Sequence, residues 1–112
     1  MVKDPSERKE QIAIVTALRK RGHYVFSVPN GFQSSAGVKA MFKKEGLLPG
    51  HPDFGICIKG GKVVWVEMKT KKKGRLSDQQ KLVHSHLEAL GHTVIVGYGA
   101  KDAWNKLIEI GI

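Results

Sequence analysis

Two apolar runs, DFGICIK and KVVWVEMKT, flank Gly60-Gly61, and this pairing restricts the fold more than any other feature of the chain. A Gly-Gly step supplies the backbone angles of a tight turn, so the two runs are expected as adjacent antiparallel strands. HYVFSV reads as a strand before this hairpin and HTVIVGYG as one after it. Helical segments fill the rest. In DPSERKEQIAIVTALRKRG, Asp4 can cap, Pro5 fits the first helical position and Gly22 stops the helix. SAGVKAMFKKEG ends at Gly46, SDQQKLVHSHLEALG runs from a Ser77 cap to a Gly91 stop, and AKDAWNKLIEIG closes the order. PNG at 29–31 reads as a turn and LLPGHP as a loop. The order αβ(α)ββαβα predicts the α/β class, a mixed β-sheet flanked by helices. A length of 112 residues suits a single domain, 1–112, with one modest core.

Charge narrows the partners. Nineteen Lys and Arg against ten Asp and Glu leave a net charge of +9. The cations gather in RKRGH (19–23), KK (43–44) and KTKKKGR (69–75). Such clustering points to a polyanion, nucleic acid foremost, rather than to solubility alone. No apolar run reaches the roughly 20 residues that cross a bilayer, so no membrane partner is expected. The charged opening MVKDPSERKE lacks a signal-type apolar segment, and the lone Cys57 leaves no internal disulfide. The expected setting is therefore reducing and cytoplasmic. Cys57, in mid-strand, is expected in the core. There is no P-loop or Rossmann glycine pattern, and no Cys or His spacing of the structural-zinc kind.

Side chains alternate across a strand. Val64, Val66 and Met68 therefore share one face of KVVWVEMKT, and Val63, Trp65, Glu67 and Lys69 share the other. Glu67 and Lys69 stand roughly 7 Å apart on that face. A surface cross-strand pair would account for an isolated E-x-K. The hairpin adds Asp53, at the start of the preceding strand, which it can bring beside Glu67. Two carboxylates in contact repel unless a cation lies between them, and a hard divalent ion takes oxygen ligands while leaving room for phosphate. With Lys69 beside them, these groups outline a phosphodiester-cleaving site.

Pro52-Asp53 followed by Glu67-Met68-Lys69 resembles the PD-(D/E)XK nuclease signature. EGLLPGHPDFGI, VWVEMKTKKKGRLSDQQ and LGHTVIV together resemble the VRR-NUC branch, the virus-type replication–repair nucleases, from Glu7 to about Tyr98. The resemblance implies a restriction-endonuclease-like fold, dependence on Mg²⁺ with Mn²⁺ as a substitute, and cleavage of structured DNA. It further implies likeness to Holliday-junction resolvases that act as homodimers, 5′-phosphate and 3′-hydroxyl products, and a bacterial or phage-infected cell. Glu7, Asp53 and Glu67 would hold one or two Mg²⁺ ions, joined by the Met68 carbonyl.

The family pattern also has a glutamate on the first helix and a glutamine on the helix after E-x-K, for which Glu7 and Gln80 are the candidates. At 100° per residue, Glu7, Gln11, Ile14 and Leu18 fall within about 60° of arc, so Glu7 extends the core-facing stripe toward the helix start. Glu10 lies about 60° from Glu7 and is the alternative. Gln80 shares a face with Val83, His84 and Leu87. Capping competes with both roles: Asp4-x-x-Glu7 is close to a capping box and Ser77-x-x-Gln80 is one. One side chain is not expected to cap and serve the site at once.

In the loop after Lys69, Lys71, Lys72, Lys73 and Arg75 are candidate phosphate contacts, against the plain reading of a solvated turn. Asn30 and Gln33 are candidate DNA contacts in SVPNGFQSS, where a simple turn competes. His51 can border the site as a loop histidine, while His84 and His86 point different ways and do not form a chelating pair. Trp104, Leu107 and Ile108 follow helical spacing and suit a core or a dimer face. The expected function is metal-dependent cleavage of branched DNA. The alternatives are a nuclease for flapped or linear duplex DNA and a non-catalytic DNA-binding module.

Overall fold

The computed structural model describes residues 4–29, 34–72 and 74–112. Its elements are α1 (Pro5–Lys20), β1 (Tyr24–Ser27), α2 (Ala36–Lys44), β2 (Phe54–Ile58), β3 (Lys62–Lys69), α3 (Asp78–Ala89), β4 (Thr93–Tyr98) and α4 (Ala100–Glu109). This is the expected order. The expected local signals act where the sequence sets them. The Asp4 side chain accepts from the Ser6 N–H, Pro5 opens α1, and the Ser77 side chain accepts from the Gln80 N–H; Ser35, not foreseen as a cap, accepts from the Val38 N–H. Gly60 and Gly61 turn the hairpin with φ of 88° and 70°, angles that side chains disfavour.

The strands form one sheet in the order β1-β2-β3-β4. β1, β2 and β3 are an antiparallel meander. β4 joins β3 in parallel, with α3 as the crossover. The core lies between the sheet and the α1–α4 layer. Ile14 and Leu18 of α1, and Ala103 and Leu107 of α4, meet Val25, Phe54, Ile56, Val64, Val66, Met68 and Ile95. β3 thus turns its even-numbered residues to this core, as its alternation requires, and its odd-numbered ones to the opposite face. Trp104 packs at the margin of the core, and Ile108 is exposed.

Cys57 departs from expectation: it is exposed. β2 sends Phe54 and Ile56 inward, which forces Cys57 to the other face, opposite Tyr24. α2 has no buried residue and packs on no other described helix or strand. Among the described residues no helix is long and apolar enough to cross a membrane.

Candidate active site at the end of the central hairpin

The site starts from a register. Phe54 pairs with Val66, and continuing that ladder one step sets Asp53 against Glu67, then Pro52 against Met68. Proline has no N–H, so Pro52 cannot donate to the Met68 carbonyl and the regular ladder stops there. The Met68 N–H is met by a side chain instead: Asp53 Oδ2 accepts from it at 2.6 Å. The N–H and C=O of one strand residue leave by the same edge. The Met68 carbonyl therefore also faces the Asp53 side, while the Met68 side chain is fully buried in the core. The P-D and E-x-K segments are in this way locked together by a charge-assisted hydrogen bond.

Glu67 is only 2% exposed, on the α3 face. It is not left as a bare charge. Gln80 Nε2 donates to its Oε2 at 3.2 Å, and His84 Nε2 lies 3.2 Å from its Oε1. Burial is the main influence on His84 and holds its pKa below the ordinary imidazole value of 6.5. The Lys69 charge acts in the same direction, and Glu88 and Asp53 oppose it. With the ring neutral, it is Nε2 that carries the proton and donates to Oε1.

Gln80 corrects the expectation that capping leaves its side chain no second contact. Its Oε1 accepts from the Ser77 N–H at 2.9 Å, completing the capping box, while its Nε2 reaches Glu67. An amide has an acceptor end and a donor end, and each has its own task. His84 was not singled out from sequence as a site residue. The available signal was its place one turn after Gln80 on the sheet-facing side of α3.

The first-helix glutamates lie at the same end of the sheet. α1 is anchored at its C-terminal end by Arg19, which donates to the Val25 carbonyl. Its N-terminal half therefore runs toward the ends of β3 and β4. A Cβ at Gly99 would lie 3.2 Å from Glu10 Oε1, and the Gly99 N–H donates to the Lys69 carbonyl at 3.0 Å. Glu7, half-buried, is one turn nearer the start of α1. Both glutamates belong to the layer opposite α3, so they approach the site around the sheet end rather than from the Glu67 face.

Lys69 is half-buried, and Lys71, Lys72 and Arg75 are exposed. The loop folds back on Lys69: a Cβ at Gly74 would meet the Lys69 Cβ at 2.6 Å, which only glycine avoids. Lys71 lays its methylenes along Gly99. Lys73, Asn30 and Gln33 lie outside the described residues. Among the described residues, no group of three or more His, Cys, Asp or Glu side chains is set to hold a metal ion. The hairpin register sets Asp53 opposite Glu67 and beside Met68, so two carboxylates and the Met68 carbonyl stand at one end of the hairpin. This set is chemically suited to a hard dication that completes its shell with water or phosphate.

No family model matches the chain, and no curated protein matches it. Solved structures do. One described as a VRR_NUC domain protein has a TM-score of 0.78 at 20% identity, over 96% of this chain and 89% of that one. Another, described as a VRR_NUC domain, has a TM-score of 0.70 at 22% identity, over 97% of this chain and 100% of that one. The chain thus has the fold of the VRR_NUC domain across nearly its whole length, an α/β fold with a four-stranded mixed sheet.

Proposed function

We propose that this chain is a metal-dependent nuclease that hydrolyses phosphodiester bonds in DNA. The observation that carries the reading is the Asp53–Met68 hydrogen bond, which joins the P-D and E-x-K segments at the end of the central hairpin. The likeness to VRR_NUC structures supports the same reading.

Asp53, Glu67 and the Met68 carbonyl would hold Mg²⁺, or Mn²⁺ in its place, with Glu7 or Glu10 reaching in from α1. The ion would supply Lewis acidity and neutralise phosphate charge. Gln80 and His84 hold Glu67 in one orientation. Lys69 orients the attacking water and offsets the charge that builds on the phosphoryl oxygens. Attack at phosphorus with loss of the 3′-oxygen leaves 5′-phosphate and 3′-hydroxyl ends. Lys71, Lys72 and Arg75 contact the backbone without reading sequence. Branched DNA is the preferred substrate in this reading. One chain offers one such centre, so paired cuts across a junction call for a homodimer.

A second reading draws on Glu67 itself. A buried carboxylate satisfied by an amide and a neutral imidazole is also a sound structural group, as in a non-catalytic DNA-binding module. One panel separates the two: four-way junction, flap, linear duplex and single strand, each with Mg²⁺, Mn²⁺ or EDTA. The nuclease reading expects cutting with either metal, none in EDTA, and preference for the junction. Asp53→Ala and Lys69→Ala should each lower cleavage by at least about 10²-fold, the scale for losing a charge-stabilising group, while DNA binding persists. Unchanged cleavage in both variants would reject the site. Binding without cleavage in the wild type would select the second reading.

A further inference from the structure

The face of the sheet that carries Glu67 also carries a line of aromatic rings. Phe26 pairs with Gly55 and Gly55 with Trp65, so the three stand in one row across β1, β2 and β3. Gly55 has no side chain, and the Phe26 and Trp65 rings meet above it edge to face, with centroids 5.7 Å apart. A Cβ there would fall 2.6 Å from Phe26 Cζ and 3.0 Å from Trp65 Cζ3. Tyr24, two residues before Phe26 on the same face, packs against it at 6.5 Å and is 69% exposed. On the other side, the His51 ring stands on Trp65 at 4.6 Å. His51 is two residues before Asp53. The row Phe26–Gly55–Trp65 lies one strand repeat, roughly 7 Å, from the Asp53 and Glu67 positions.

Several features of this line are more than a sheet needs to close its face. α3 packs along β4 and reaches Glu67, but among the described residues no helix covers this face of β1 and β2. The indole Nε1 of Trp65 is buried and makes no hydrogen bond, so the cluster holds an unused donor. The chain's net charge of +9 selects an anionic occupant, and ring faces select flat ones.

We infer that Tyr24, Phe26, Trp65 and His51 form a stacking platform for an unpaired nucleotide beside the scissile phosphate. Stacking on aromatic side chains is the means by which proteins hold unpaired bases without reading their identity. A base inside a duplex presents no free face and cannot use the platform. The platform would therefore favour substrates with unstacked nucleotides at a branch, gap or end. This rests on the nuclease reading for the position of the scissile phosphate, and its test does not use cleavage.

The test is fluorescence anisotropy in EDTA, with two labelled duplexes of equal length, one fully paired and one with a short single-stranded gap. Tyr24→Ala is suitable because the side chain is largely exposed. It should weaken binding to the gapped DNA by about fivefold or more, the low end of one lost stacking contact, and leave the paired duplex within about twofold. Tyr24→Phe keeps a ring and should bind as the wild type does. Phe26→Leu should repeat the selective loss. Equal loss on both duplexes, or none on the gapped one, would overturn the platform. Selective loss in a chain that cuts no DNA with Mg²⁺ would uphold the platform and reject the nuclease reading. Efficient Mg²⁺-dependent cutting with no selective loss would do the reverse.

Discussion

Glu67 meets two neutral donors in the interior, and its role depends on them. Removing either donor leaves a buried oxygen short of a partner, a cost of about 1–3 kcal/mol. Gln80 makes this testable because its two ends can be separated. Ser77→Ala removes the cap alone and should cost about 1 kcal/mol in urea unfolding, with DNA cleavage nearly unchanged. Gln80→Ala removes the cap contact and the Glu67 contact together. It should cost more stability and lower cleavage as well. Equal effects of the two substitutions on both readouts would reduce Gln80 to a cap. That Asp53 would lie across from Glu67 was legible in the sequence because a Gly-Gly turn leaves little freedom of register. His84 was not, since a lone helical histidine carries no partner in its own spacing. Its partner comes from β3, 17 residues away in sequence.

The elements are where the sequence was most readable. Asp4 and Ser77 cap where local chemistry favours them, and β3 alternates its faces as a strand must. What stayed hidden was which face each strand would leave uncovered. Cys57 was expected in the core because its neighbours are apolar, but covering its face would have required a helix over β2. The junction of β4 and α4 yields a prediction of its own. Asp102 Oδ2 accepts from the Tyr98 N–H and from Lys106 Nζ, both at 2.9 Å. Partial burial works to raise its pKa, but these two partners outweigh it and hold the carboxyl below its ordinary 3.8. A depressed carboxyl stabilises the fold above its unfolded pKa, and this contribution is lost as pH falls through the folded value. Asp102→Asn should therefore be less stable than the wild type near neutrality, and the gap should close below about pH 3.8. Urea midpoints across that range provide the check; a gap that widens in acid would contradict the sign.

At the scale of the whole molecule, the excess of cations and the pair of acids have to act together. Lys71, Lys72 and Arg75 stand exposed on the loop that folds back on Lys69, so in the proposed function DNA held by them would lie beside the acids. Replacing any one of the three by Ala should weaken binding by a similar factor on any sequence, and reduce the slope of log affinity against log salt by about 1. A slope unchanged in all three would leave these residues in a solvated turn. In the proposed function Asp53, Glu67 and the Met68 carbonyl would gather around a divalent cation. A crystal soaked in Mn²⁺ and measured at the manganese absorption edge tests it most directly. An anomalous peak bounded by these three groups is expected. No peak there, or a peak held by other residues, would contradict that arrangement.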